Sequence, residues 1–475
     1  MTKLIIQNTY SWLVTEDTSV KSKLWKALRY KERGYFHNRA YKQRRWDGYT
    51  NFFDPEHGRF LTGLLPEVKM ALRKWGVKYQ TEDERKGFDF KWTEIDDQFL
   101  NQFRPKGHAP ITLHDYQVDF INKIVQHKRG VIYSPTSSGK TFIMVGALHT
   151  MPRVPTLVLQ NRKDLAVQNY EEIVKWGVPN VGTLWGGSVK PDMVTVATVQ
   201  SIQKMAKLLP KIKVIIVDEI HDMMSKMPKA VYRSLPDCSV RVGLSATPFK
   251  FGEKDLVQKF FVKGFFGPVL KTDSTESGIL TTKELQDRDI LARSRCTFYP
   301  IDYPQIPYDI YQDAVTRGIA ESFHFHDVVS TLAKQLTGRT LILVDRLAHG
   351  DALQSLIPGS LWVQGKDTAA TRKEVIKQLQ EAPGDIVGIA TQQIFNTGIN
   401  VFIHNLVNAA GGVADHLIVQ RMGRGLRKKD DKEMLNYYDF IFNINDYLLK
   451  HSNKRLKVLT EQGHEIIIKD ELDFF

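Results

Sequence analysis

The chain is 475 residues long, 42% hydrophobic and 25% charged, with two cysteines and a formal net charge of +13. That length holds about two to four domains, and the balance of apolar and charged residues is that of packed globular cores. No apolar run nears the ~20 residues of a membrane span, the opening MTKLIIQNTYSWL lacks a secretory-leader pattern, and the isolated Cys238 and Cys296 suit neither a disulfide framework nor a zinc cluster, so a reducing cytoplasm without membrane partners is expected.

Residues 1–105 read as a small basic α+β domain. Residues 1–108 carry 21 Lys/Arg against 14 Asp/Glu, which is +7 of the excess charge in under a quarter of the chain. Within 21–50 ten basic residues meet only Glu32 and Asp47. Tyr30, Tyr35, Phe36, Tyr41, Trp46 and Tyr49 interleave with them, either to stack on bases or to form a small core. With Arg44 and Arg45 beside these rings, the pattern is that of a nucleic-acid surface. Lys21 to Arg33 is expected as a helix with Leu24, Trp25 and Leu28 on one face, and Leu65 to Trp75 as a second. The stretch Arg104-Pro105-Lys106-Gly107-His108-Ala109-Pro110 is a linker by composition.

From Ile111 strands and helices alternate. Apolar runs at 130–133, 156–159, 193–197, 214–217 and 241–245 predict a parallel sheet covered on both faces, in a domain spanning 106–262. The first run ends at Ser134-Pro135-Thr136-Ser137-Ser138-Gly139-Lys140-Thr141, followed at once by the apolar Phe142 to Leu148. A strand, a tight loop and a helix N-terminus make a phosphate cradle: backbone N–H groups and the helix dipole face the anion, Lys140 reaches the β/γ-phosphates and Thr141 holds Mg²⁺. Ser134 stands where Gly or Ala is usual. The run Val214–Val217 ends in Asp218-Glu219-Ile220-His221, beyond the carboxyl end of a strand where open parallel sheets bind ligands. Asp218 suits Mg²⁺ and Glu219 suits the task of orienting and deprotonating an attacking water. A second series of strands, at 340–344, 360–363, 385–390 and 405–409, predicts another α/β domain over 263–475. Residues 250–310 fit either an insertion or the crossover between the two.

The order of these motifs resembles the DExH helicases and translocases of superfamily 2, over roughly residues 113–427. The resemblance implies two tandem RecA-like domains that clamp ATP and Mg²⁺, and a nucleic-acid track across both. Gln117, in Leu113-His114-Asp115-Tyr116-Gln117, is then the adenine-reading glutamine. Arg162, Thr198 and Gln200 follow strands at positions where the family holds the nucleic-acid backbone. Ser245 and Thr247, in Ser-Ala-Thr-Pro, would couple to His221. In the second domain the resemblance assigns Arg346 and Thr391 to the backbone, Gly398 to close approach to ATP, Gln420 to coupling, and Arg424 and Arg427 to the γ-phosphate as arginine fingers, worth ~10³ to 10⁵ in rate.

A basic module ahead of a compact DExH core is similar to the UvsW-like phage branch-migration helicases. That likeness implies action on forks and Holliday junctions in replication restart and recombination, by a monomer working beside other replication and recombination proteins. Two other readings stand beside it: a DExH RNA helicase or general unwinding enzyme, and an ATP-switched DNA-binding remodeller that does not translocate.

Overall fold

The computed structural model describes residues 2–88, 92–247, 255–303, 305, 310–382, 384–392, 402–412, 422, 425–426 and 434–469. It has two compact units, Met1–Ser134 with Gly139–Leu280, and Pro135–Ser138 with Thr281–Phe475. No helix among the described residues is long and apolar enough to cross a membrane.

The first unit opens on a five-stranded sheet in the order Phe53–Asp54, Arg59–Leu61, Tyr10–Val14, Lys3–Ile6, Gln80–Asp83. Leu4, Ile6 and Leu13 alternate into its core, as the period of two requires, beneath helices Thr18–Ala27 and Leu65–Lys74. The first helix starts where Asp17 Oδ1 accepts from the backbone N–H of Ser19 at 2.8 Å and Val20 at 3.3 Å. It ends at Ala27, short of the expected Arg33, because Arg29–Lys31 pairs as a strand with Tyr49–Asn51. Arg29 is the reason: its guanidinium lies 4.3 Å from the Trp25 ring and 4.1 Å from the Tyr49 ring and pairs with Asp47.

Beyond this module runs an eight-stranded sheet in the order Ser188–Lys190, Val181–Trp185, Val194–Thr198, Thr156–Gln160, Val214–Asp218, Val240–Ser245, Arg129–Tyr133, Val269–Leu270. All neighbours are parallel except the hairpin of its first two strands. The register sets Thr198 beside Gln160, Asp218 beside Leu244 and Ser245 beside Tyr133, so the carboxyl ends of the strands share one edge. That edge carries the polar residues.

Helix Leu256–Phe266 fastens the module to the sheet. Val257, Phe260 and Phe261 enter the module's core, while Val262, Phe265 and Phe266 enter that of the sheet. A second fastening is the fully buried Arg241, which donates to Thr9 Oγ1 at 2.6 Å and to the carbonyls of Leu235 at 2.7 Å and Tyr232 at 3.1 Å. Carbonyl dipoles rather than carboxylates solvate it, so its hydrogen bonds must be complete.

The second unit is a wholly parallel sheet of seven strands, ordered Leu361–Val363, Ile386–Thr391, Arg339–Val344, Asn405–Asn408, Met434–Phe442, Arg293–Ile301, Glu465–Ile468. Its core is built on Ile342, Val344, Ile389, Val407 and Phe440 with Phe325 and Leu332 of helix Phe323–Gln335. The described residues of 250–310 are therefore shared out: Leu256–Phe266 and Val269–Leu270 serve the first unit, and Arg293–Ile301 pairs between Met434–Phe442 and Glu465–Ile468 in the second sheet.

Two histidines make this unit acid-sensitive. His349 stacks on His326 with ring centroids 4.9 Å apart, and burial, reinforced by His326, pulls its pKa down to about 3. His464, bonded to Ser294 Oγ at 2.6 Å, is pulled by burial to about 4. An unfolded histidine takes up its proton near 6.5, and the native one refuses it. Stability is thus intact above pH 6.5 and lost as pH falls below it. Each histidine should lower the unfolding free energy by ~2 kcal/mol at pH 5 relative to pH 7. Urea unfolding at the two pH values measures the drop, and His349→Phe should remove its own share.

Candidate active site

The loop Ser134–Thr141 begins where strand Arg129–Tyr133 ends, and Ser134 is held in place by its N–H donating to Ser245 O at 3.0 Å. Ser138 folds the loop back: its hydroxyl donates to Pro135 O at 2.6 Å, and its N–H to the same oxygen at 3.3 Å. Gly139 then takes φ +80°, a left-handed conformation that opens helix Lys140–Thr150 with no side chain capping its N-terminus. A Cβ on Gly139 would stand 2.3 Å from Gln117 Nε2. Any other residue there would displace Gln117 and strain the backbone together.

Lys140 Nζ lies 3.4 Å from Glu219 Oε1 and 3.5 Å from Ser134 O. Glu219 follows strand Val214–Asp218 in a left-handed conformation, φ 49° and ψ 52°, that non-glycine residues adopt at a cost of ~1 kcal/mol or more. That turn directs its carboxylate at the loop. Asp218 is fixed by three donors: Glu219 N–H at 3.0 Å on Oδ1, and Asn169 at 3.3 Å and Gln160 at 3.4 Å on Oδ2. Burial, with the neighbouring Glu219 carboxylate, pushes Asp218 above the usual carboxylate range, against the pull of Lys140.

His221 is buried and its Nδ1 shares a hydrogen bond with Ser245 Oγ at 2.8 Å, with Glu219 Oε2 3.3 Å away. Ser245 Oγ also accepts from Thr247 N–H at 3.0 Å. The line continues to Gln258, whose Nε2 donates to His221 O at 3.0 Å. Gln258 is on the helix whose Val257, Phe260 and Phe261 enter the core of the N-terminal module, so hydrogen bonds link His221 and Ser245 to the helix that packs on the basic domain. Sequence reasoning missed Gln258 because it follows a stretch without a readable pattern.

Gln117 is buried, with Oε1 accepting from His114 N–H at 2.9 Å and Nε2 against Gly139. It supports the loop from beneath. Thr198 is also buried and its hydroxyl bonds Ser201 Oγ at 3.2 Å. Gln200 is exposed and donates to Asn161 O at 2.9 Å, and Arg162 caps helix Lys163–Lys175 beside it. In the second unit Arg346 donates to Gln312 Oε1 and Thr391 ends strand Ile386–Thr391 with a buried hydroxyl that has no partner. Arg44 and Arg45 are exposed on the N-terminal module. Gly398, Gln420, Arg424 and Arg427 lie outside the described residues.

The first unit's site fits a nucleoside triphosphate. Among the described residues Thr247 Oγ1 is buried without a partner, Lys140 is held by a carboxylate and a carbonyl it can exchange for phosphate, and the helix N-terminus lacks a side-chain cap. No group of three His, Cys, Asp or Glu among the described residues could hold a metal by itself. Mg²⁺ needs no such cage, since it is held by one or two protein ligands plus substrate phosphates.

Residues 110–250 match the family model described as type III restriction enzyme, res subunit. The ATP-dependent DNA helicase UvsW of Enterobacteria phage T4 is 24% identical across 92% of this chain and 92% of its own length. That likeness runs over nearly the whole of both chains. The DNA 3'-5' translocase XPB2 of Sulfurisphaera tokodaii is 25% identical, covering 79% of this chain and 95% of its own. A fragment of a putative HsdR subunit of a type I restriction enzyme from Vibrio vulnificus has the same fold, with TM-score 0.56 at 18% identity over 79% of this chain and 71% of that one. Lys140, Asp218, Glu219, His221 and Ser245 are brought together by three separate stretches of the first unit, the start of helix Lys140–Thr150, the turn after strand Val214–Asp218 and the end of strand Val240–Ser245.

Proposed function

We propose that this protein is an ATP-dependent DNA helicase and translocase that works on branched DNA, unwinding forks and migrating four-way junctions. One observation carries the reading: Lys140 faces Glu219 at 3.4 Å, with Asp218 beside it, at the strand ends of a superfamily 2 core. The branched substrate is supported by end-to-end likeness to a helicase named UvsW and by the basic N-terminal module fastened to that core.

In this reading Lys140 exchanges Glu219 and Ser134 O for the β/γ-phosphates, and the N–H groups at the start of helix Lys140–Thr150 complete the cradle. Glu219, freed of the lysine, orients the attacking water and takes its proton. Thr141 and Asp218 would hold Mg²⁺, which would offset the negative charge developing on the phosphate. His221 and Ser245 pass the state of the carboxylates toward Gln258 and the module. Arg162 and Gln200 are assigned to the DNA backbone by their place at the exposed strand ends. The relatives' names favour DNA over RNA. The setting we assign is the cytoplasm of the cell in which the DNA replicates.

The test is a mobile four-way junction incubated with the protein, Mg²⁺ and ATP. Conversion to linear duplexes that needs ATP hydrolysis is expected. Binding of the junction with no conversion would favour the switched remodeller instead.

A further inference from the structure

The most cation-rich feature of the N-terminal module is an arm closed at its base by Glu32 N–H donating to Gly48 O at 2.8 Å. Residues 33–46, Arg-Gly-Tyr-Phe-His-Asn-Arg-Ala-Tyr-Lys-Gln-Arg-Arg-Trp, hold five Lys/Arg and no acid. Both flanking carboxylates are engaged: Glu32 accepts from the Thr50 hydroxyl and Asp47 pairs with Arg29. Lys42, Arg44 and Arg45 therefore present charge that no acid of the arm offsets.

The rings divide into two sets. Tyr35 props the arm from within, edge-on to Tyr41 at 4.7 Å and under the ammonium of Lys31 at 4.3 Å. Trp46 is tied by its indole N–H to Tyr49 O at 2.7 Å. Phe36 touches its chain neighbours, edge-on to Tyr35 at 5.6 Å and tilted on His37 at 4.2 Å, and leaves the rest of its ring outward. It is 53% exposed, and it lines a shallow concavity with Tyr41, Trp46, Lys42, Arg44, Arg45 and the Arg29-paired Asp47. An exposed phenyl ring surrounded by cations has poor use for a protein core. It has good use for a ligand that is flat and apolar in one part and anionic in the next, and a nucleotide is that ligand.

We propose that this concavity is a single-strand nucleotide site, in which an unpaired base stacks on Phe36 while Lys42, Arg44 and Arg45 hold the flanking phosphates. A base inside duplex DNA offers no free face. The site therefore selects DNA with unpaired bases, and at a fork or junction it takes a base next to the branch. The inference rests on the proposed DNA-binding function and names how the module would recognise a branch.

The test uses the full-length protein and four ligands: a fork with 2-aminopurine at the branch, the same fork with 2-aminopurine deep in the duplex, a single strand, and a blunt duplex. Binding should change the fluorescence of the branch probe and leave the duplex probe unchanged. Phe36→Ala should weaken fork and single-strand binding by about tenfold, with less than a twofold change on blunt duplex. Phe36→Trp should restore it, and an unchanged melting temperature of Phe36→Ala shows that the arm is folded. Arg44→Gln with Arg45→Gln should weaken all four ligands and lower the salt slope by about two. Equal losses on fork and blunt duplex for Phe36→Ala, or no loss on either, would overturn the proposal. Failure of the unaltered protein to bind any of the four would instead remove the DNA-binding function on which it rests.

Discussion

Lys140→Ala should lower ATP turnover by roughly 10³-fold, or ~4 kcal/mol of transition-state stabilisation, and leave DNA binding in place. Among the described residues Lys140 is the Lys or Arg that reaches Glu219, and its 3.4 Å contact shows that the side chain already extends into the space between loop and carboxylates. Removing it deletes a charge on the phosphates and also frees Glu219, so the loss cannot be recovered by raising ATP alone. Glu219→Gln should separate the two roles. It keeps the shape and the turn at φ 49° and removes the base, so ATP still binds while turnover falls by about 10² to 10⁴. Titration with a fluorescent ATP analogue, beside steady-state hydrolysis, distinguishes them. Junction unwinding that persists in Lys140→Ala would contradict the motor.

The second large effect is on stability. Arg455 and Asp439 form a wholly buried pair in the second unit, with Nε to Oδ2 and Nη2 to Oδ1 both at 2.9 Å. Asn408 at 3.1 Å and the Tyr437 hydroxyl at 2.7 Å complete Asp439 Oδ2, and Arg455 donates in addition to the carbonyls of Gly411 at 3.0 Å and Phe440 at 3.0 Å. Asp439→Ala leaves a buried guanidinium without its counter-charge and should cost about 3 to 5 kcal/mol in denaturant unfolding. Replacing both, as Asp439→Leu with Arg455→Met, should recover most of that loss. It should not recover activity in full, because Gly411 and Gly412 lose the donor that fixes the segment leading to residue 413. A pair variant as unstable as Asp439→Ala would show that the carbonyl contacts, rather than the ion pair, hold the unit together.

The same pair shows where the sequence ceased to be legible. Arg455 belongs to helix Asp446–Glu461 among Lys450, Lys454 and Lys457, which reads as a solvated basic face. The available signal was Asp439 itself, a lone carboxylate at an inward position of the apolar strand Met434–Phe442. By contrast, the runs ending at Tyr133, Asp218 and Ser245 were readable because strands buried on both faces are continuously apolar. Arg293–Ile301 was hidden by its two arginines and by Pro300. The chemistry of Lys140, Asp218 and Glu219 follows from residue type and spacing. The burial of Gln117 and Thr198, and the bridge through Gln258, depend on packing that no local pattern records.

The most direct measurement is steady-state ATP hydrolysis with single-stranded DNA, blunt duplex, a fork, a four-way junction and RNA, each at saturating concentration. The account predicts strong stimulation by the fork and the junction, weaker stimulation by single strands and duplex, and little by RNA. Stimulation by RNA equal to that by branched DNA, or hydrolysis indifferent to every nucleic acid, would contradict it.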